Sequence, residues 1–568
     1  MQFTDIVILI LFFVLLVALA IPLGRYMSSV FEGNRTFISP IIEPLERIIY
    51  RLCKINPQND MRWKEYAAGF TIFTLVGVVV VVAIQMLQRI LPLNPQLLPG
   101  VRWDTAINTA VSFATNTNWQ SYSGESTMSY FTQMIALTAQ NFVSSGIGMT
   151  AGIAFIRGFI RKESTGIGNV WVDLTRSVLY VLLPLSIIVC LILLSQGVVQ
   201  SFHHYIAIHT LEGKDQLIPL GPAASQIAIK QLGSNGGGFF NANSAHPFEN
   251  PTMISNLTEN ISILLIPIAF IFMFGNMLRN RKQGRAVFYA LAVIFITSFC
   301  LILHFELSPN PSIAKAHVSG IVNMEGKETR FGEPWSSLWN ESTTVTSNGS
   351  VNSMHDSFMP LSGMIDIFNI GIGEIIFGGV GVGLLGVLFY VILAMFLSGL
   401  MIGRTPEFMG KKFGPYEMAM SMIALVVPMI AIIILSAIAI STKAGLVGLG
   451  NPSAHGLTEI LYAYSSGLGN NGSAFAGLNA NTPFYNLTLS VAMLIGRFAT
   501  VIPALAIAGS LAAKKRIPES NATFPTTGLL FIGILIATVF IMGALDFFPV
   551  FVLGPILDHL FTAQMITF

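Results

Sequence analysis

Ten runs of about 20 apolar residues divide this 568-residue chain, near 4–24, 67–88, 129–156, 177–199, 256–278, 287–305, 384–403, 417–440, 486–512 and 527–545. Each is long enough to cross roughly 30 Å of hydrocarbon. Only 10% of the residues are charged and 53% are hydrophobic, whereas an ordinary soluble chain carries roughly 25% charge. A soluble globule with so few charges could not cover its surface, so the chain reads as a polytopic membrane protein. The net charge of +2 leaves no footprint for nucleic acid. Cys53, Cys190 and Cys300 are too far apart for a disulfide framework or zinc spacing. The first run lacks the basic leader of a cleaved signal peptide, because Asp5 precedes it and Arg25 follows.

Basic residues fix an expected orientation. Five segments hold 21 of the 30 Lys and Arg, and they follow runs one, three, five, seven and nine. The positive-inside rule then places these segments in the cytoplasm and both termini outside it.

Four outer loops carry a short amphipathic stretch followed by a Gly- or Asn-rich segment: 114–120, 233–239, 378–383 and 467–475. The second and fourth align at an offset of 236 with eight identities in eighteen positions, including Asn235 with Asn471, Gly236 with Gly472 and Pro247 with Pro483. Such self-similarity marks an internal repeat. The expected fold is all-α and polytopic, with ten transmembrane helices. Four span–pore–span repeats surround a pseudo-fourfold axis and carry re-entrant filter loops. Half-helices are expected at 105–113, 225–232, 364–376 and 457–464, each too short to cross the membrane. The division is 1–64 for the first span and basic loop, with pore repeats at 65–165, 166–285, 286–413 and 414–516, and 517–568 for the last span and tail. The third repeat contains a long polar outer stretch at 306–361.

Non-helical backbone at membrane depth is tolerated only when buried in protein or lining a wet cavity. Rings of backbone carbonyls from four loops can replace the hydration shell of potassium, in dihedrals that glycine allows. Asn, Thr and Gln add oxygens without fixed charge. Small residues also serve simply to let helices pack closely, but four segments at equivalent repeat positions favour a cation filter.

The segments Thr-Asn-Thr-Asn-Trp-Gln at 115–120, Gly-Ser-Asn-Gly-Gly-Gly-Phe-Phe-Asn-Ala-Asn-Ser-Ala-His-Pro-Phe at 233–248, Phe-Gly-Gly-Val-Gly-Val-Gly at 377–383 and Gly-Leu-Gly-Asn-Asn-Gly-Ser-Ala-Phe at 467–475 carry a resemblance, as does Gly-Leu-Met-Ile-Gly-Arg-Thr-Pro-Glu at 399–407. The architecture resembles the potassium-transporter superfamily of Trk, Ktr and Hkt proteins. The closer likeness is to the KdpA family, the potassium-binding A subunits of bacterial Kdp potassium-transporting ATPases, and it covers nearly the whole chain. The resemblance implies a first filter strand of Asn116, Thr117, Asn118 and Gln120, and a second of Ser234, Asn235, Gly236 and Gly237. The third would be Gly378, Gly379, Val380 and Gly381, and the fourth Asn470, Asn471 and Gly472. It also implies a broken helix beneath the filter, with a gating role for Gly399, Gly403 and Arg404.

Two further charges stand where they are expensive: Arg497 interrupts an apolar run and Glu374 precedes the third Gly-rich segment. Intramembrane ionisable groups are functional candidates; the alternative is an internal ion pair holding a bent helix. Asn340-Glu-Ser and Asn348-Gly-Ser match the glycosylation sequon, a frequent accidental match. Gly-Val-Gly-Leu-Leu-Gly at 381–386 matches a dinucleotide fingerprint by letter but lies between spans. No phosphate-binding loop or aspartyl-phosphate sequence is present, so no ATP site is expected and the transported ligand is the potassium ion. The resemblance implies that a P-type ATPase, KdpB, supplies the energy, together with KdpC, KdpF and membrane lipid. Ions would leave sideways through an intramembrane tunnel to KdpB, and the location would be the bacterial cytoplasmic (inner) membrane. A self-contained potassium channel or ion-coupled transporter is the alternative. A membrane-embedded acyl transferase would need a convergent His, Asp or Cys constellation, which cannot be assembled.

Overall fold

The computed structural model describes residues 3–315, 322–401, 403, 406–518 and 524–564. Ten helices among the described residues are long and apolar enough to cross a membrane. In chain order the principal helices are α1 (Phe3–Phe31), α2 (Trp63–Leu87), α3 (Trp103–Ala114), α4 (Thr132–Ile160) and α5 (Val170–Ser195). Next come α6 (Ala223–Leu232), α7 (Met253–Met277), α8 (Arg281–Leu307), α9 (Gly332–Val345) and α10 (Pro360–Gly371). The chain ends with α11 (Val382–Met401), α12 (Pro415–Ser441), α13 (Ser453–Gly469), α14 (Pro483–Ala513) and α15 (Leu529–Ala563).

The long helices sort into two rings by burial. In α4, 83% of the apolar window is buried by protein, against 22% in α1, which shows Leu11, Leu15 and Leu19 outward. Lipid tails are as apolar as leucine, so the inner ring is held by close packing rather than by hydrophobic exclusion between helices. Gly152 of α4 illustrates this, since a Cβ there would stand 2.8 Å from the Gly381 carbonyl oxygen. Prolines within α7 and α14, Pro267 and Pro503, leave both helices continuous.

Short helices α3, α6, α9 and α13 each lie between two spans and end in an irregular segment. Three match the expected half-helices, but the third does not. The polar stretch 306–361 is not merely an outer loop, because it contains α9 and the segment that follows it. The half-helix expected at 364–376 is α10, the first half of a span interrupted over 372–381 and resumed as α11. Gly399 is buried within α11, which ends at Met401, and Gly403 follows in a turn with φ +66°. Arg404 lies outside the described residues. The repeat boundaries expected at 65 and 286 fall inside α2 and α8.

Candidate functional site

Four irregular segments leave the C-termini of α3, α6, α9 and α13 with the same backbone plan. The first residue of each adopts a left-handed conformation: Asn116 (φ +68°), Ser234 (+49°), Ser347 (+51°) and Asn470 (+57°). In each, the next N–H returns to the carbonyl five residues earlier. Thr117 donates to Ser112 at 2.9 Å, Asn235 to Lys230 at 2.9 Å, Asn348 to Thr343 at 3.4 Å and Asn471 to Ser466 at 2.9 Å. Left-handed backbone is costly for residues with a Cβ, and small polar residues at these positions tolerate it best.

Side-chain amides tie the four segments into a closed ring. Asn116 Nδ2 donates to the Ser234 carbonyl at 3.1 Å and Asn348 Nδ2 to the Lys230 carbonyl at 3.3 Å. Asn471 Nδ2 donates to the Thr343 carbonyl at 2.8 Å, and Asn470 Nδ2 closes the ring on Thr117 Oγ1 at 2.9 Å. The next layer meets at backbone level. A Cβ on Gly472, where φ is +93°, would stand 1.8 Å from the Thr117 carbonyl oxygen. One on Gly236, also at φ +93°, would stand 2.0 Å from Gly349 N. The third strand is therefore Ser347, Asn348 and Gly349.

This corrects the expectation for Gly378, Gly379, Val380 and Gly381. These residues belong to the interruption between α10 and α11 and lie beneath the ring. A Cβ on Gly379 would meet Ser347 Cβ at 3.0 Å, and one on Gly381 would meet the Gly148 carbonyl oxygen of α4 at 2.5 Å. A small cavity of about 60 Å³ separates ring and floor, bounded by Asn116, Ser347 and Asn470 above and by Gly379 and Val380 below. It extends sideways past Tyr390 to Leu425 and Pro428 of α12. Gln120 is also displaced from its expected place in the first strand. It sits one layer outward, where Nε2 donates to the Gly238 carbonyl at 3.0 Å and Oε1 accepts from Gly238 N at 2.9 Å. Gly237 stays with its strand, packed on Phe113 and Asn118. Above the ring is a vestibule of about 710 Å³ reaching Asn118, Gln120, Gly349 and Gly472. The Asn118 amide has no hydrogen-bond partner among the described residues.

The two intramembrane charges, Glu374 and Arg497, do not pair with each other, so the alternative reading as an internal ion pair does not account for them. Glu374 is buried beneath the ring, where it accepts from Ser347 Oγ and Asn471 Nδ2, bracing the third and fourth strands. Arg497 lines the cavity instead, donating to the Ser144 carbonyl at 3.3 Å and lying 5.5 Å from the centroid of Phe70. A buried charge pair, Lys230 with Glu249, backs the second strand. Lys230 occupies the place held by Ser112, Thr343 and Ser466 in the other three.

A family model described as potassium-transporting ATPase A subunit, KdpA, matches residues 10–560. The chain belongs to the KdpA family. It is 51% identical over 556 residues to the potassium-transporting ATPase potassium-binding subunit of Pseudomonas aeruginosa, covering 98% of this chain and 99% of that one. Its likeness to the protein of the same name from Clostridium botulinum is 50% over 564 residues, with 96% and 97% covered. Among solved structures it is similar to the potassium transporter TrkH from Vibrio parahaemolyticus, with a TM-score of 0.52 and 14% identity over 88% of this chain and 97% of that one. That likeness shows a shared fold. The sequence signal that could have found the third strand is the tripeptide Ser-Asn-Gly, which occurs at 234–236 and again at 347–349 of this chain.

Proposed function

We propose that the chain is the potassium-binding, ion-selecting, non-catalytic subunit of an ATP-driven potassium uptake pump. Potassium enters the vestibule from the extracytoplasmic side and sheds its water between the four strands. Carbonyls of the Thr117, Asn235, Asn348 and Asn471 layer serve as its ligands, helped by uncharged side-chain oxygens. The closed ring of Asn amides holds these strands at fixed separation, which is what discrimination between cations of different size requires. The observation that carries this reading is the shared plan of the four strands: one left-handed residue, then one N–H bonded five residues back.

Beneath the filter the Gly378–Gly381 floor obstructs a straight path, and the cavity reaches sideways toward α12. This supports lateral hand-over to a P-type ATPase partner, KdpB, with KdpC and KdpF completing the assembly in a bacterial inner membrane. Arg497, a cation at the cavity wall, discourages an ion from resting there. The alternation of basic loops supports both termini lying outside the cytoplasm.

The test is the purified complex. Potassium should stimulate its ATPase activity, and Asn118→Ala or Gly237→Ala should raise the potassium concentration for half-stimulation, because site occupancy is linked to the cycle it drives. Unchanged half-stimulation in both variants contradicts the filter. Accumulation of potassium by vesicles holding this chain alone, energised by an ion gradient, would favour a self-contained transporter.

A further inference from the structure

Away from the filter, one cleft concentrates charge that the chain does not neutralise. Helix α1 crosses α7 closely at Gly24, where a Cβ would stand 2.7 Å from the Ala269 carbonyl oxygen. Just beyond the crossing, a cleft of about 680 Å³ opens between α1 and the turn that joins α7 to α8. Arg25, Arg279, Arg281 and Lys282 line it, and no carboxylate does. Arg281 Nε is held by Asn276 Oδ1 at 3.2 Å, which orients the guanidinium without neutralising it. None of the four cations forms an ion pair among the described residues. Other cations of the basic face are matched: Arg157 with Asp173, Arg176 with Glu46, Lys514 with Glu417.

Two further observations point to an anion. Ser28, only 6% exposed, lines the cleft with a hydroxyl that has no hydrogen-bond partner among the described residues. The N-terminus of the 27-residue α8 also opens on it, adding partial positive charge. On its lipid-facing side, α1 exposes Leu11, Leu15 and Leu19, a surface for acyl chains.

We propose that this cleft binds the phosphate headgroup of an anionic phospholipid, with Arg25, Arg279, Arg281 and Lys282 as its counter-charges and Ser28 as a neutral donor. Basic pockets between helices at a membrane surface favour such headgroups, and a cluster of like charges left unpaired is otherwise unfavourable. A free phosphate would use the same donors but would gain nothing from the apolar stripe on α1.

The experiment takes the whole complex, delipidated in detergent, and measures by native mass spectrometry the retention of added phosphatidylglycerol against phosphatidylcholine. The comparison is between the parent, Arg279→Gln/Lys282→Gln, and a charge-matched control, Arg51→Gln/Lys54→Gln. The parent should prefer phosphatidylglycerol, the cleft variant should bind it about tenfold less well, and the control should match the parent. Millimolar inorganic phosphate should not displace the lipid. Equal retention of both lipids, equal loss in both variants, or displacement by inorganic phosphate would each overturn the proposal.

Discussion

The ring of four strands, the proposed filter, and the layer beneath it obey opposite rules. In the ring all four repeats share one left-handed residue and one N–H bond at matching positions, and all but the third add a second left-handed residue two positions on, at Asn118, Gly236 and Gly472. In the layer below, only the third repeat departs. Its second span is interrupted over 372–381, while α4, α7 and α14 run through without a break. Proline is not the cause, because Pro267 and Pro503 sit inside the continuous helices. The interruption is instead rich in glycine, which is costly in a helix interior. Its backbone is also claimed by other partners: Gly381 presses on α4, and Glu374, at φ +48°, turns to brace two filter strands. Symmetry suits a site that must surround one ion evenly. Broken symmetry suits a layer that must send it in one direction.

The sharpest way to break this comparison is to substitute in the ring. Gly472→Ala places a methyl 1.8 Å from the Thr117 carbonyl oxygen in a left-handed conformation, so strand and axis must both move. Backbone strain of this kind costs about 1–3 kcal/mol, and potassium affinity should fall at least about tenfold. Gly213→Ala is the matched control, with φ +79° but nothing within 4 Å. It should leave half-stimulation of ATPase activity by potassium unchanged. Equal effects would mean that the ring has no special role.

A smaller effect should separate the floor from the ring. Gly381→Ala crowds the Gly148 carbonyl from beneath. The rate of potassium uptake should drop several-fold, with affinity and discrimination against sodium within about twofold of the parent. A variant that loses selectivity instead would place the floor within the filter.

The smallest effect should lie outside both layers. His455, on α13, sits between Asp356 at 2.9 Å and Asp558 of α15 at 2.8 Å, one carboxylate at each ring nitrogen. Burial alone would lower its pKa, but the hydrogen bonds and charges of Asp356 and Asp558 outweigh burial and raise it to about 10. With a raised pKa, the stabilising contribution is complete below the ordinary value of 6.5 and fades as pH climbs through about 10. His455→Gln should therefore destabilise the protein most near pH 6.5, by about 1.5–3 kcal/mol at most, and least near pH 10, which thermal unfolding at the two pH values would read as a larger and a smaller drop in midpoint. A difference that grows with pH would contradict the assignment, and potassium affinity should not change.

How much of this was legible in the sequence follows the same division. Ten spans could be read because membrane crossing demands long apolar runs. The first, second and fourth strands were readable because glycine and asparagine cluster where backbone must bend. The third strand was hidden by its composition. Helix α9 is Gly-Glu-Pro-Trp-Ser-Ser-Leu-Trp-Asn-Glu-Ser-Thr-Thr-Val, polar enough to pass for an outer loop, yet it is buried, with neighbouring helices satisfying some of its polar groups. Ser342 donates to Asn260 and Asn340 to Asp366, pairings that only tertiary structure brings together. The denser glycines at 378–383 drew attention to the floor, while Asn348 was visible only as a sequon.

The central claim is that Ser347, Asn348 and Gly349 complete the filter and Gly378–Gly381 lie outside it. Thallium(I), which scatters strongly and substitutes for potassium, can locate the ion by anomalous diffraction from crystals of the complex. The account predicts a peak on the axis among the backbones of Thr117, Asn235, Asn348 and Asn471, abolished in Gly472→Ala. A peak coordinated by Gly378–Gly381 with none on that axis would contradict it.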